Sequence, residues 1–214
     1  MKIGIIGAGH IGGNLAQLLV RHGHQVVIAN SRGPQTLAEV AQRTGATPVE
    51  VADAPRGAEV VVIALPLKAI PTLPAGLLDT TAAGAAVIDT MNYYPQRDGQ
   101  IRPIDDGQVS AGWVREQLGR PVVKVFNNIY ASDLLSRPQA QGTDNRRALP
   151  VTGDDQASKR TVLALIDEIG FDTVDLGDLS ESWRYEPGTP ASGPDVDAAK
   201  LVELLNEAVR HDKE

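Results

Sequence analysis

The sequence predicts an α/β protein built on a doubly wound parallel sheet. Three observations carry that reading. Short β-branched runs alternate with helix-spaced segments from the first residue onward. The first run passes at once into a glycine-rich turn, GAGHIGG at residues 7–13. The strongest runs are continuously apolar, as strands covered on both faces should be.

KIGII (2–6) is short, β-branched and bounded by Gly7, which predicts a buried first strand. HIGGNLAQLLVRHG (10–23) places Ile11, Leu15, Leu18 and Leu19 at helical spacing, with Gly23 as the stop. QVVIA (25–29) is the second strand. PQTLAEVAQRTG (34–45) opens with Pro34 in its first turn and closes on Gly45, so it reads as a second helix. A weak third strand falls near ATPV (46–49), followed by a short helix. EVVVIAL (59–65), AAVIDTM (85–91) and PVVKVF (121–126) are strands four to six, with Trp113 in a helix before the sixth. Six strands joined by right-handed crossovers give the order 3-2-1-4-5-6.

Past Asn127 the rhythm changes. RRALPVTG (146–153) and FDTVDLG (171–177) read as strands flanking the helix DQASKRTVLALIDEIG (155–170). A Gly/Pro-rich stretch, YEPGTPASGPD (185–195), leads into a terminal helix, DAAKLVELLNEAVRH (197–211). ESWRYEPGTP (181–190) is expected to be a shaped loop rather than a helix. The chain therefore divides into residues 1–130, carrying the doubly wound sheet, and a small α/β extension, 131–214. Whether the extension continues the sheet or caps it is left open.

Composition narrows the function. The formal net charge of −7 argues against nucleic acid as a partner, since phosphate backbones select basic surfaces. The absence of cysteine removes disulfides, a catalytic thiol and thiolate zinc sites. No apolar run approaches the ~20 residues that span a bilayer, and the N-terminal residues show no signal-peptide pattern. A soluble, cytoplasmic protein without membrane contact is expected. His22 and His24 stand at a helix end and suit its dipole. With His10 and His211 they form no metal-ligand pattern, so no metal is expected. Neither a G-x-S-x-G elbow nor a P-loop occurs.

Gly7, Gly9 and Gly12 spell G-x-G-x-x-G between a strand and a helix, the context in which the pattern reads as a dinucleotide site. Gly7 allows the tight turn and Gly9 the approach of a pyrophosphate. Gly12 permits helix–strand packing. The amides at His10 and Ile11 open the helix toward the phosphates. An ordinary strand-to-helix turn also holds glycines; the position at the start of an alternating chain is what favours the Rossmann reading.

The second strand of such a fold commonly ends in an acid that grips the adenosine ribose. Here it ends in Asn30, Ser31 and Arg32. Losing the carboxylate removes repulsion from a 2′-phosphate, and a hydroxyl with a permanently charged guanidinium supplies donors for one. The cofactor expected is NADP(H). Ala64, Leu65 and Pro66, after strand four, would lie along it. Asn92 and Asn127, after strands five and six, stand where a nicotinamide carboxamide is read, although either serves as well to cap a turn.

Six of the eight aromatic residues, Tyr93, Tyr94, Phe126, Tyr130, Trp183 and Tyr185, fall after strands five and six and in the late segment. Rings reserved for loops suit a flat substrate, with core filling as the plain alternative. Tyr93 and Trp183, with Arg184 beside the latter, are the acceptor-binding candidates. No catalytic acid or base stands out, and hydride transfer needs none, because the cofactor carries the chemistry.

IGIIGAGHIGGNLA, NSRGP, VFNNIYASDLL and EPGTPASGP, in that order along nearly the whole chain, resemble the NADPH-dependent coenzyme F-420 reductases. That family is related to the N-terminal domain of pyrroline-5-carboxylate reductase and to the cytosolic domain of transmembrane ferric reductases. The resemblance implies a homodimeric Rossmann protein whose nicotinamide stacks on an 8-hydroxy-5-deazaflavin. It implies that Ser31 and Arg32 hold the 2′-phosphate, and that NNIY and PGTP shape the substrate side. Two departures stand out: Gly33-Pro34-Gln35 adds no basic residue after Arg32, and Ala191-Ser192 stands where an aromatic is expected. A flavin, a quinone or an imine are alternative acceptors, and a non-catalytic NADPH sensor is the reading from another class.

Overall fold

The structure is a computed structural model that describes residues 1–210. Among the described residues, one eight-stranded sheet runs β3-β2-β1-β4-β5-β6-β7-β8. The strands are β1 Lys2–Ile6, β2 Gln25–Ala29, β3 Thr47–Pro48, β4 Val60–Ile63, β5 Ala86–Asp89, β6 Val123–Lys124, β7 Ala148–Gly153 and β8 Asp172–Asp175. The first six are parallel in the order 3-2-1-4-5-6. β7 then pairs antiparallel with β6, and β8 parallel with β7. The C-terminal strands therefore continue the sheet, which answers the question that sequence leaves open.

Around the sheet stand α1 His10–Arg21, α2 Ala38–Thr44, α3 Pro95–Asp98, α4 Arg102–Asp105, α5 Ser110–Leu118, α6 Asp133–Ser136, α7 Gln156–Glu168 and α8 Ala198–Glu207. Alternation along each strand directs side chains to two layers. Ile3, Ile5, Val60 and Val62 pack with Leu15 and Leu18 of α1 and Val162 and Leu165 of α7. Val61, Ile63 and Val87 pack on the other face with Trp113 and Val114 of α5 and Ile70. Asp155 caps α7 through the Ser158 amide at 2.7 Å, and Asp197 caps α8 through the Lys200 amide at 2.8 Å.

Three expectations change. β3 and β6 shrink to two residues each. Pro48 lacks the amide to extend a ladder, and the chain leaves β6 through Phe126, whose φ of 67° is incompatible with a strand. Residues 181–185, the first half of the stretch expected as a shaped loop, belong to a 3₁₀ helix, Leu179–Tyr185. Leu179, Ser182 and Tyr185 are buried at a spacing of three, the period of that helix. The terminal helix ends at Glu207, and His211 lies outside the described residues.

Candidate functional site

The first turn is shaped by close backbone approach. Gly7 has φ 115°, and a Cβ on it would stand 2.1 Å from the Ala64 carbonyl oxygen. A Cβ on Gly12 would stand 1.9 Å from the Gly7 carbonyl oxygen, so the helix can start here only without one. Gly9 differs. A Cβ there would meet nothing within 4 Å, because its face is open to the cleft. Gly9 is also the N-cap of α1, which has no side-chain cap and no acidic residue in its first turn. The leading amides of α1 are thus free for an anion.

From that turn a cleft of about 460 Å³ crosses the carboxyl ends of β1, β4, β5 and β6. It gathers Gly9, His10 and Ile11 with Ala64, Leu65, Pro66, Asn92 and Asn127, the candidates the sequence offers for these positions. Gly7 and Gly12 lie buried beneath it. Asn92 Nδ2 donates to the Asn127 carbonyl at 2.7 Å, and Asn127 Nδ2 donates to Asn92 Oδ1 at 3.2 Å and to the Tyr185 carbonyl at 3.1 Å. The two amides thus fasten the ends of β5 and β6 together. Asn127 and Asn128 line the cleft, while their Oδ1 atoms are buried with no hydrogen-bond partner among the described residues. Phe126, in its left-handed conformation beside them, marks backbone strain of the kind that clusters at binding sites.

At the end of β2, Asn30 organises the loop. Its Oδ1 accepts from the Arg32 amide at 3.0 Å, and its Nδ2 donates to Thr36 Oγ1 at 2.9 Å. Ser31 and Arg32 are exposed, and the Arg32 guanidinium has no ion pair among the described residues. They do not line the cleft itself. They stand at the tip of the strand adjacent to β1, where the adenosine end of an extended ligand would reach.

Tyr93, Trp183 and Arg184 are not brought to this cleft. Tyr93 and Trp183 line a separate cavity with Ile104, Glu186 and Val209. The Tyr93 hydroxyl is engaged by Asp105 at 2.9 Å and by the Ile101 amide at 3.2 Å, which holds the loop leading into α4. Arg184 lies over the Trp183 ring, 4.6 Å from its centroid, and pairs with Glu181 at 2.7 Å.

The rings in the cleft are their neighbours, Tyr94 and Tyr130, with Arg97, Ser192 and Gly193. Tyr130 is 65% exposed and leans on Gly193. Arg97 stands 4.9 Å from the Tyr94 centroid and donates to the Asn92 carbonyl at 2.7 Å. Burial opposes ionisation of Asp98, but hydrogen bonds from Arg97 and from the Tyr94 and Lys68 amides outweigh it and hold its carboxyl below the usual range. This carboxylate fixes the loop that carries Tyr94. Which of two successive tyrosines enters a cleft depends on coil geometry past β5, where no strand period applies. All six residues of FNNIYA line this cleft, whereas of the late segment Ser192 and Gly193 do so and Pro187, Gly188 and Thr189 line the separate cavity. Arg97 had no sequence signal.

Residues 2–93 match the family described as NADP oxidoreductase coenzyme F420-dependent. Among solved structures, the chain is similar to a hypothetical protein from Sinorhizobium meliloti, with 33% identity, a TM-score of 0.73 and 92% of each chain covered. It is also similar to a protein from Arthrobacter sp. FB24 described as an F420-dependent NADP reductase. There the identity is 25% and the TM-score 0.65, covering 85% of this chain and 87% of that one. Among curated proteins it is similar to the metalloreductase STEAP3 of Rattus norvegicus, 28% identical over 186 residues, which cover 86% of this chain and 36% of that protein. The chain spans less than half the length of the curated relatives it matches. No helix among the described residues is long and apolar enough to cross a membrane.

Proposed function

We propose that the chain, whose residues 2–93 match the family described as NADP oxidoreductase coenzyme F420-dependent, transfers a hydride between NADP(H) and a planar acceptor, an 8-hydroxy-5-deazaflavin. One arrangement carries the reading: an uncapped helix start at Gly9 opens into a cleft that continues past Asn92 and Asn127 to Tyr94 and Tyr130. That sequence of surfaces matches, in order, a pyrophosphate, a nicotinamide and a flat second ring.

In this reading the bound nicotinamide supplies the hydride chemistry, and the chain binds and orients. The α1 amides receive the pyrophosphate. Ser31 and Arg32 take the 2′-phosphate, since an unpaired guanidinium offers a charge-assisted contact that an acid would forbid. Asn127 and Asn128 line the stretch of cleft that would receive the carboxamide. Tyr94 and Tyr130, half in water, offer faces for stacking an acceptor. Residues 131–214 supply part of the acceptor side through Ser192 and Gly193, and the contacts of a homodimer. Tyr93, Trp183 and Arg184 hold this wall from behind rather than touching the acceptor.

The test is NADPH oxidation, followed by nicotinamide absorbance, with deazaflavin, flavin and quinone acceptors side by side. Turnover with the deazaflavin alone supports the proposal. Turnover with flavin or quinone only reassigns the acceptor, and NADPH binding with turnover of none would make the protein a sensor.

A further inference from the structure

Asp89 and Lys124 form an ion pair that does not itself line the cleft. They end β5 and β6, stand opposite each other in the sheet register, and are fully buried, with Nζ 3.1 Å from Oδ2. Burying two charges costs several kcal/mol per ion, and well-packed apolar residues in their place are often as stable or more so. Packing alone therefore does not account for the pair.

Its remaining hydrogen bonds do. Asp89 Oδ1 accepts from the Met91 amide at 2.8 Å, and Lys124 Nζ donates to the Met91 carbonyl. Both polar groups of one residue are thus held by the two charges, and that residue lines the cleft beside Asn92. The backbone carbonyl of Lys124 accepts from the Tyr185 hydroxyl at 3.0 Å, which also bonds Thr152 Oγ1 at 2.7 Å. Burial pushes the Tyr185 hydroxyl well up from its ordinary range, so it stays a neutral donor. Tyr185 returns the link to the cleft, since its own carbonyl accepts from Asn127.

We propose that Asp89 and Lys124 are positioning residues, which fix the Met91 backbone and thereby the wall of the cleft that faces the nicotinamide half of the cofactor. The inference rests on the reading of this cleft as the NADP(H) site. A merely structural pair would affect both halves of the dinucleotide alike; this one acts on the nicotinamide half alone.

The experiment uses Asp89→Asn combined with Lys124→Met, which removes both charges and the donor to Met91 while keeping an acceptor for its amide. Two nucleotides are titrated by calorimetry: NADPH, and adenosine 2′,5′-bisphosphate, which has the 2′-phosphate but no nicotinamide. The expected result is an NADPH Kd raised about tenfold, with the bisphosphate Kd unchanged. An unchanged NADPH Kd, or an equal rise for both nucleotides, would overturn the inference. Failure of the wild-type protein to bind either nucleotide would overturn the cofactor reading itself, and this inference with it. Should the double variant not fold, the Lys124 ammonium signal of ¹⁵N-labelled wild-type protein decides. It must move with NADPH and stay still with the bisphosphate, and a signal deaf to both overturns the proposal.

Discussion

A Cβ on Gly12 would lie 1.9 Å from the carbonyl oxygen of Gly7, closer than atoms of a folded chain can approach. Three residues earlier, Gly9 has open space and an ordinary extended backbone, φ −75° and ψ −165°. The two glycines of one motif therefore serve different ends, and substitution separates them. Gly12→Ala should destabilise the fold, at about 1–3 kcal/mol or more for overpacking against rigid backbone. Gly9→Ala should cost only about 1 kcal/mol of capping preference. It should nevertheless weaken NADPH by at least about tenfold, because its methyl group would occupy the approach proposed for the pyrophosphate. Thermal melts with calorimetric titration check both. Unchanged NADPH affinity in Gly9→Ala would move the pyrophosphate elsewhere.

Arg32→Ala would remove the charge-assisted contact proposed with the 2′-phosphate, worth about 1.5–3 kcal/mol. The KM for NADPH should rise roughly 10- to 150-fold while that for NADH changes little. Equal losses for the two nucleotides would detach Arg32 from the 2′-phosphate.

Tyr130→Ala should lower kcat/KM for the acceptor by about 3- to 10-fold, the worth of one stacking contact, and leave the Kd for NADPH in place. Trp183→Phe should change neither, since Trp183 lines a different cavity. Tryptophan fluorescence gives an independent check. Trp113 is buried in the core, so neither indole should be quenched directly by the acceptor. Quenching that vanishes in Trp183→Phe would return the acceptor to the position that sequence suggests.

Asp98 makes stability depend on acid. Its folded-state pKa lies below its unfolded value, so the unfolded chain binds the proton more readily. The contribution is present in full above the ordinary Asp value of about 4 and is lost as pH falls through the lowered one. Asp98→Asn should reduce stability at neutral pH by about 1–3 kcal/mol, leaving part of the Arg97 guanidinium unpaired. The wild-type advantage should shrink below about pH 4. Denaturant melts of both proteins across pH give the comparison, and parallel curves would refute it.

Most of the sheet was legible because buried parallel strands need unbroken β-branched runs, and KIGII and VVVI admit little else. The glycine turn was legible for the related reason that atoms in contact forbid side chains there. What stayed hidden depends on partners distant in sequence. Lys124 reads as an interruption of PVVKVF until Asp89 is seen beside it. Tyr93 and Tyr94 are chemically alike, and the contacts of the Tyr93 hydroxyl with Asp105, Gly99 and Ile101 show which one is engaged in the wall. The 3₁₀ segment was missed because its three-residue period was masked by the Gly/Pro stretch that follows it. Leu179, Ser182 and Tyr185 carried the signal all along.

Both free margins of the sheet are closed to growth. On one side β3 is two residues long and ends in Pro48, which has no amide to offer a newcomer. On the other, β8 begins and ends in aspartates, Asp172 paired with Arg146 at 2.9 Å and Asp175 with Lys159 at 2.9 Å. A strand arriving from another molecule would meet a missing donor at one margin and fixed carboxylates at the other. Among the described residues, the two margins therefore offer a poor template for strand addition, even though the interior strands are rich in the β-branched residues that favour it.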